Sequence, residues 1–176
     1  MGNIKAYAVY GFVNNEKEEW IKRIENFNKI CEILGIKANR CSVFSAKDNN
    51  IQSLRGLENK IGKLYQKGDV VDGMEFYLLP ENFTTIIFDF AVTISCNGGS
   101  EGYCAVMLNT KYSNYYSSHI NENELIKVLK ENIEPRSGEI FEMDIKECPG
   151  SYIFRHESDY EYMDEDFTSL NIIREI

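Results

Sequence analysis

The sequence predicts an α+β fold in a single domain, with one mostly antiparallel sheet of roughly five to seven strands and about three helices packed largely on one face. Two observations carry this prediction. Short runs of β-branched and aromatic residues are separated by turn-forming residues, and three other segments repeat apolar residues at helical spacing. A chain of 176 residues, 43% of them hydrophobic, can bury one core. No linker divides residues 1–176, so we treat them as one domain.

The first third of the chain alternates strand and helix patterns. Residues 4–13 form the first predicted strand, and Asn14 and Asn15 offer a helix cap with Glu18 reaching back. A helical pattern then runs to Gly35, a residue that favours a helix end. Its apolar face is formed by Trp20, Ile24, Phe27, Cys31 and Leu34.

A second strand, a second helix and a meander follow. Residues 40–45 predict the strand, and the helix spans about four turns and ends before Gly68. Its apolar residues are Leu54, Leu57, Ile61 and Leu64. Residues 73–80, 84–96 and 102–110 then read as strands separated by short turn-forming connections, which predicts an antiparallel meander.

The C-terminal third predicts a third helix and two more strands. The helix starts at Asn121 and ends before Pro135, which cannot continue it. Its apolar face is formed by Leu125, Val128, Leu129 and Ile133. Residues 138–145 and 151–155 predict a final pair of strands, whereas residues 169–176 fit either a short helix or an edge strand.

The negative charge of the chain is concentrated in one stretch, Glu157–Phe167, which we call the acidic segment. It holds six carboxylates and three aromatic rings, with no Lys, Arg or His among them. It therefore carries −6 of the formal net charge of −9, and the rest of the chain carries only −3.

The composition limits the kinds of partner that we expect the protein to bind and the cellular compartment in which we expect it. A chain with a pI near 4.8 repels phosphate backbones and attracts basic proteins, so we expect no direct nucleic-acid binding. The first residues lack the pattern of a secretory signal, and residues 84–96 are too short for a membrane helix. Five widely spaced cysteines fit reduced thiols better than a disulfide framework. We therefore expect a cytoplasmic protein that does not contact a membrane.

The sequence offers three enzymatic interpretations outside the acidic segment. A cysteine hydrolase could use Cys148 with His156, eight residues later, but no local motif supports the pair, and His119 is expected to be exposed. The glycines of residues 97–102 lack the Lys and the following helix of a phosphate-binding loop. The strand carboxylates are expected to lie on solvated faces; they are Glu75, Asp89, Glu139 and Glu142.

A metal site in the acidic segment is a fourth enzymatic interpretation. Four of its carboxylates could supply oxygen ligands, but the EF-hand order is absent. These four are Asp159, Glu161, Asp164 and Asp166. The sequence therefore predicts no catalytic residue, no cofactor and no metal.

Two interpretations of the acidic segment remain, a solvated polar tail and a protein-binding surface, and the aromatic residues favour the second. Carboxylates can pair with Arg and Lys of a basic partner while interleaved rings stack on guanidinium groups or fill pockets. The predicted contacts in the acidic segment are Glu157, Asp159, Tyr160, Glu161, Tyr162, Asp164, Glu165 and Asp166. A second tyrosine-rich loop, which begins at Lys111, adds Tyr115 and Tyr116 as secondary contacts.

Residues 133–155, IEPRSGEIFEMDIKECPGSYIFR, resemble a region of immunity proteins from bacterial toxin–immunity systems. There a helix ends in a Pro, a strand with a Gly-aromatic centre follows, and a turn with Gly and Pro precedes a Tyr-bearing strand. Ser137 stands where an aromatic residue is usual. The resemblance implies a non-enzymatic cytoplasmic protein that neutralises a cognate toxin, a basic nuclease, by occlusion.

Two alternatives to this function stay open. A phage or mobile-element inhibitor of a host defence nuclease would use the same electrostatics. A small hydrolase or metal-dependent enzyme would instead use Cys148 and His156, or the acidic segment. Neither the identity of the partner nor the oligomeric state follows from the residues.

Overall fold

The structure is a computed structural model, and it describes residues 2–84, 89–98, 101–116, 119–155 and 167–176. Its centre is one seven-stranded sheet in which every pairing is antiparallel. The strands are β1 (Asn3–Phe12), β2 (Arg40–Ser45), β3 (Val71–Leu78), β4 (Val92–Asn97), β5 (Gly102–Asn109), β6 (Glu134–Asp144) and β7 (Asn171–Glu175). Their order across the sheet is β2-β3-β4-β5-β1-β6-β7, which confirms the predicted α+β architecture.

Three α-helices pack on one face of the sheet, which we call the helical face. They are α1 (Lys17–Leu34), α2 (Leu57–Gln66) and α3 (Glu122–Lys130). Apolar side chains of these helices and of the facing strands form the larger of two buried clusters. Helix α1 ends as predicted, because Gly35 adopts the left-handed conformation at φ 66° and its N–H bonds the Glu32 carbonyl.

The opposite face of the sheet is covered differently. A short helix, α4 (Pro149–Phe154), lies against it, and Tyr152 and Ile153 are fully buried there. The prediction of a strand over residues 151–155 was therefore wrong. Pro149 occupies the first turn of a helix, where a missing N–H costs nothing, and the buried pair is adjacent in sequence rather than alternating.

Several element boundaries also differ from the prediction. Glu16 is the N-cap residue of α1 and makes no side-chain capping bond, so the Asn14–Asn15 cap was wrong. Strand β4 begins only at Val92, so a 13-residue connection replaces the predicted short turn after β3. Helix α3 ends at Lys130, and Pro135 lies in β6 rather than stopping the helix.

The chain after the acidic segment returns to the sheet. Strand β7 pairs with β6, which resolves residues 169–176 in favour of the edge strand. The register of the β6–β7 pairing shifts between Ile140 and Phe141 of β6. Such an irregularity in a short, charged edge strand discourages pairing with a further strand. Among the described helices, none is long and apolar enough to span a membrane. The described residues also form two 3₁₀ turns, at Thr110–Tyr115 and Ile145–Glu147.

Candidate functional site

All eight predicted contacts of the acidic segment lie outside the described residues, which resume at Phe167, the last residue of the segment. Both flanks of the segment are described, and both contact Tyr152 of α4. The guanidinium carbon of Arg155 lies 3.6 Å from the centroid of the Tyr152 ring. The Phe167 ring meets the same ring edge-on, with centroids 5.3 Å apart. Arg155 before the segment and Phe167 at its end therefore contact the same aromatic side chain, Tyr152.

Tyr152 is itself hydrogen-bonded to β6, the strand next to the edge strand β7. Its hydroxyl donates to Glu139 Oε2 at 3.1 Å, and Tyr10 donates to Glu139 Oε1 at 2.8 Å. Its ring also packs on Phe141 at 4.6 Å. Burial beside Glu139 raises the pKa of Tyr152 to about 12, so the phenol stays protonated and able to donate near neutral pH. We call Tyr10, Glu139, Tyr152, Arg155 and Phe167 the Tyr152 anchor.

A second set of hydrogen bonds holds the downstream flank. Glu147 accepts from the Thr168 hydroxyl at 2.6 Å and from the Ser169 backbone N–H at 3.0 Å. These bonds hold the pKa of the Glu147 carboxyl below its usual range. The Ser169 hydroxyl, in turn, accepts from the backbone N–H of Asp144 at 2.8 Å. The first residues after the segment are therefore fixed to the end of β6.

The tyrosine-rich loop begins at the same end of the sheet. Asn3 pairs with Asp144 across β1 and β6. The backbone N–H of Asn3 also donates to Thr110 Oγ1 at 3.1 Å, at the start of the loop. Asn3 thus links the loop to the Asp144–Ser169 contact. Two stretches distant in sequence are brought together.

The two predicted contacts in that loop differ in accessibility. Tyr115 is 47% exposed, and its ring lies 6.0 Å from that of Tyr112. Tyr116 is half-buried, packs against the larger core cluster and donates its hydroxyl to the Asn109 carbonyl at 3.1 Å. Burial raises its pKa. Tyr115 is therefore available to a partner, whereas Tyr116 mainly holds the loop.

A cavity of about 550 Å³ lies beside the loop on the helical face. Glu122, the first residue of α3, is at its centre: its Oε1 accepts from Lys5 Nζ at 2.9 Å and from the Tyr7 hydroxyl at 2.8 Å. Arg174 of β7 lies 3.6 Å from Oε2. These contacts hold the pKa of Glu122 below its ordinary value, and burial raises that of Tyr7 to about 12. Glu122 therefore joins α3 to β1 and β7, and its negative charge is already paired with Lys5 and Arg174.

None of the enzymatic interpretations is supported by a site within the described residues. Cys148 is half-buried at φ 53°, and its thiol contacts the Lys146 carbonyl at 3.9 Å. Its proposed partner His156 lies outside the described residues, as do the four carboxylates of the metal interpretation. Elsewhere in the described chain, no group of three or more His, Cys, Asp or Glu side chains could hold a metal ion.

Sequence reasoning missed the surroundings of two carboxylates that were expected on solvated faces: Glu139 is buried and Glu75 is half-buried. Glu139 is only 7% exposed, within the Tyr152 anchor. Glu75 accepts a hydrogen bond from Tyr77, and burial raises its pKa to about 7. The run around Glu75 is apolar on both alternating faces, a pattern typical of a strand covered on both sides. That signal predicts burial of the carboxylate.

Searches against protein-family models, curated proteins and solved structures found no match to this chain.

Proposed function

We propose that this chain is a non-enzymatic cytoplasmic protein that binds and neutralises a basic partner protein. The specific form we favour is a bacterial immunity protein that occludes the active cleft of a cognate nuclease-like toxin. The observation that carries the proposal is the concentration of charge, since the acidic segment holds −6 of the net −9. Nucleases present basic clefts to phosphate backbones, and a compact run of carboxylates can fill such a cleft.

The anchoring of the flanks supports this proposal. A charged stretch at a free chain end would lose more conformational entropy on binding than one tied at both ends. Here Arg155 and Phe167 contact the same buried ring, and Ser169 is bonded to β6. Tyr115 offers an exposed ring on the loop whose start, Thr110, is linked to Ser169 through Asn3 and Asp144. We infer one interface built from both stretches.

The residues of the interface have two different roles in this proposal. Carboxylates at the rim steer the encounter and set the association rate, which depends on salt. Aromatic residues that enter pockets of the partner set the dissociation rate, and Tyr160→Ala or Tyr162→Ala should cost roughly 1–4 kcal/mol of binding free energy.

The first experiment identifies the partner. The purified chain is used as bait against the product of the neighbouring gene and against a lysate of its source, with washes at low and high salt. A single basic partner that is released at high salt supports the proposal. No partner at either salt, with a folded bait, contradicts it and returns Cys148 and His156 to consideration.

The second experiment tests the acidic segment with a matched control. Changing Asp164→Asn, Glu165→Gln and Asp166→Asn should slow association about tenfold at low salt and flatten its salt dependence. The control changes three exposed carboxylates on the helices by the same total charge, at Glu25, Glu32 and Glu58. Equal association rates for the two triple variants would remove the segment from the interface.

An inhibitor carried by a phage against a host defence nuclease would give the same binding results, because the electrostatics are the same. The neighbouring genes separate the two roles: a toxin gene alongside supports immunity, and phage genes on both sides support counter-defence.

A further inference from the structure

A basic cavity of about 610 Å³ lies along α2, at the β2 end of the molecule. We call it the α2 cavity. Four cationic side chains line it, and Asp48 is the acidic residue among the lining residues. The four are Arg55, Lys60, Lys63 and Lys67. Residues 55–67 carry these four cations and the single acid Glu58, so this stretch has a charge of +3 in a chain of −9.

The walls of this cavity are held in place. One wall is α2, where Lys60 and Lys63 lie three residues apart on one helix face, and Lys67 follows as the C-cap residue of the helix. The other wall is the stretch after β2, which two isolated bridges pin to that strand, Ser45 to Asp48 and Cys41 to Gln52. Lys60 Nζ joins the walls through Asp48 Oδ2 at 2.7 Å. The cations are thus presented by a pre-organised surface.

The charges around the cavity are not balanced within the chain. Among the described residues, Lys60 has an ion-pair partner in Asp48, whereas Arg55, Lys63 and Lys67 are exposed and form no ion pair. The chain contains 28 acidic residues against 19 basic ones, so carboxylates are not scarce. Converging cations without counter-charges repel one another, and a bound anion relieves that repulsion.

We propose that the α2 cavity binds a small molecule that carries two or more phosphate groups. Its volume lies in the range of small-molecule sites. Arg supplies a planar fork for phosphate oxygens, and the lysines supply mobile point charges. No aromatic side chain is among the described residues that line it, so it has no platform for a nucleobase. A charge of +3 on a chain of −9 is too small to hold a phosphate polymer.

This site is separate from the interface of the proposed function. Strand β2 and strand β6 lie five positions apart in the sheet, about 24 Å at the usual strand spacing. The α2 cavity lies on the side of β2, and the Tyr152 anchor lies on β1 and β6. Failure of one proposal therefore leaves the other intact.

Isothermal titration calorimetry of the full chain with tripolyphosphate at low salt tests the site. We expect saturable binding with one ligand per chain. The triple variant Arg55→Gln, Lys63→Gln, Lys67→Gln should weaken it by about tenfold or more. The matched control removes three exposed lysines elsewhere, at Lys37, Lys127 and Lys146, and should weaken it by less than about twofold. Circular dichroism checks that both variants fold.

Further ligands separate the possible sources of phosphate. Inorganic phosphate should bind more weakly than tripolyphosphate, and ATP should bind like tripolyphosphate, because the base has no partner in the cavity. No binding of tripolyphosphate by the wild-type chain overturns the proposal. So does an equal loss in the two triple variants, which indicates attraction by overall charge, or binding of duplex DNA or anionic vesicles in preference to tripolyphosphate.

Discussion

Glu75 is the residue whose charge state should most affect stability near neutral pH. Burial raises its pKa from 4.5 to about 7. The folded protein therefore holds this proton more tightly than the unfolded chain, so stability is greatest below pH about 4.5 and falls as pH rises through about 7. Ionising the buried carboxylate should cost roughly 3 kcal/mol by pH 8.

The variant Glu75→Gln tests this linkage, because it keeps an acceptor for the Tyr77 hydroxyl and cannot ionise. Urea unfolding at pH 5 and pH 8 should show the variant gaining roughly 2–3 kcal/mol relative to wild type over that interval. Glu142→Gln, at a half-buried strand carboxylate, serves as the control. A difference between Glu75→Gln and wild type that does not change with pH would contradict the assignment.

Thr93 and Ser95 of β4 carry buried hydroxyls that find no hydrogen-bond partner among the described residues. Both side chains are at most 2% exposed. Because an unpaired buried polar group costs free energy, Thr93→Val should leave stability unchanged or raise the free energy of unfolding by about 1 kcal/mol. The matched Thr110→Val removes a hydroxyl that bonds the Asn3 backbone twice, and it should lose about 1 kcal/mol. Equal losses in both variants would indicate that the β4 hydroxyls are hydrated.

Among the elements, α3 combines a side-chain N-cap with a tertiary contact at its first turn. The Asn121 side chain accepts from the Glu124 backbone N–H at 3.3 Å and donates to the Glu124 carboxylate at 3.1 Å. Asn121→Ala should therefore lower the free energy of unfolding by roughly 0.5–2 kcal/mol in chemical denaturation. Asn123→Ala, at an exposed position in the same turn, is the control and should change it little. Similar losses in the two would remove the cap as the cause.

Helix α4 and strand β7 are elements that local patterns do not reveal. The stretch 151–155 has β-forming residues, yet Tyr152 is drawn into a helix by its contacts with Glu139, Phe141 and Phe167. Strand β7 forms by pairing with the edge of β6 that faces away from β1, which is a contact between elements and not a local pattern. Such contacts override weak local preference.

For the whole molecule, the distribution of the cysteines provides a test of compactness. All five are free; Cys148 is half-buried, and the other four are at most 6% exposed. A thiol reagent should modify one cysteine quickly in the native protein and the rest only on global unfolding. Cys148→Ser should abolish the fast phase. A fast-reacting thiol that persists in this variant would show local opening of the core.

The charge of the whole chain is distributed unevenly along its sequence. Net acidity argued against direct nucleic-acid binding, but the chain folds so that the cations of residues 55–67 line one cavity on α2. The remaining positions carry the negative excess, most densely in residues 157–167. A single net charge therefore describes neither stretch.

The sequence by itself determined the α+β class, the three main helices and the central meander. Apolar residues recur at the period of the element they form, and Gly35 and Asn121 mark helix ends by local conformation and capping, so this information is local. The acidic segment was equally visible, since charge is read directly from composition.

Only the tertiary structure decided which separate stretches come together. It placed Arg155 and Phe167 on one ring and linked the Tyr115 loop to Ser169 through Asn3 and Asp144. It also buried Glu139 and removed Glu75 from solvent far enough to raise its pKa. These relations depend on strand order and on pairings between residues more than 100 positions apart. Periodicity within a window cannot specify them, because the energy that selects a pairing comes from packing and hydrogen bonding between the paired strands.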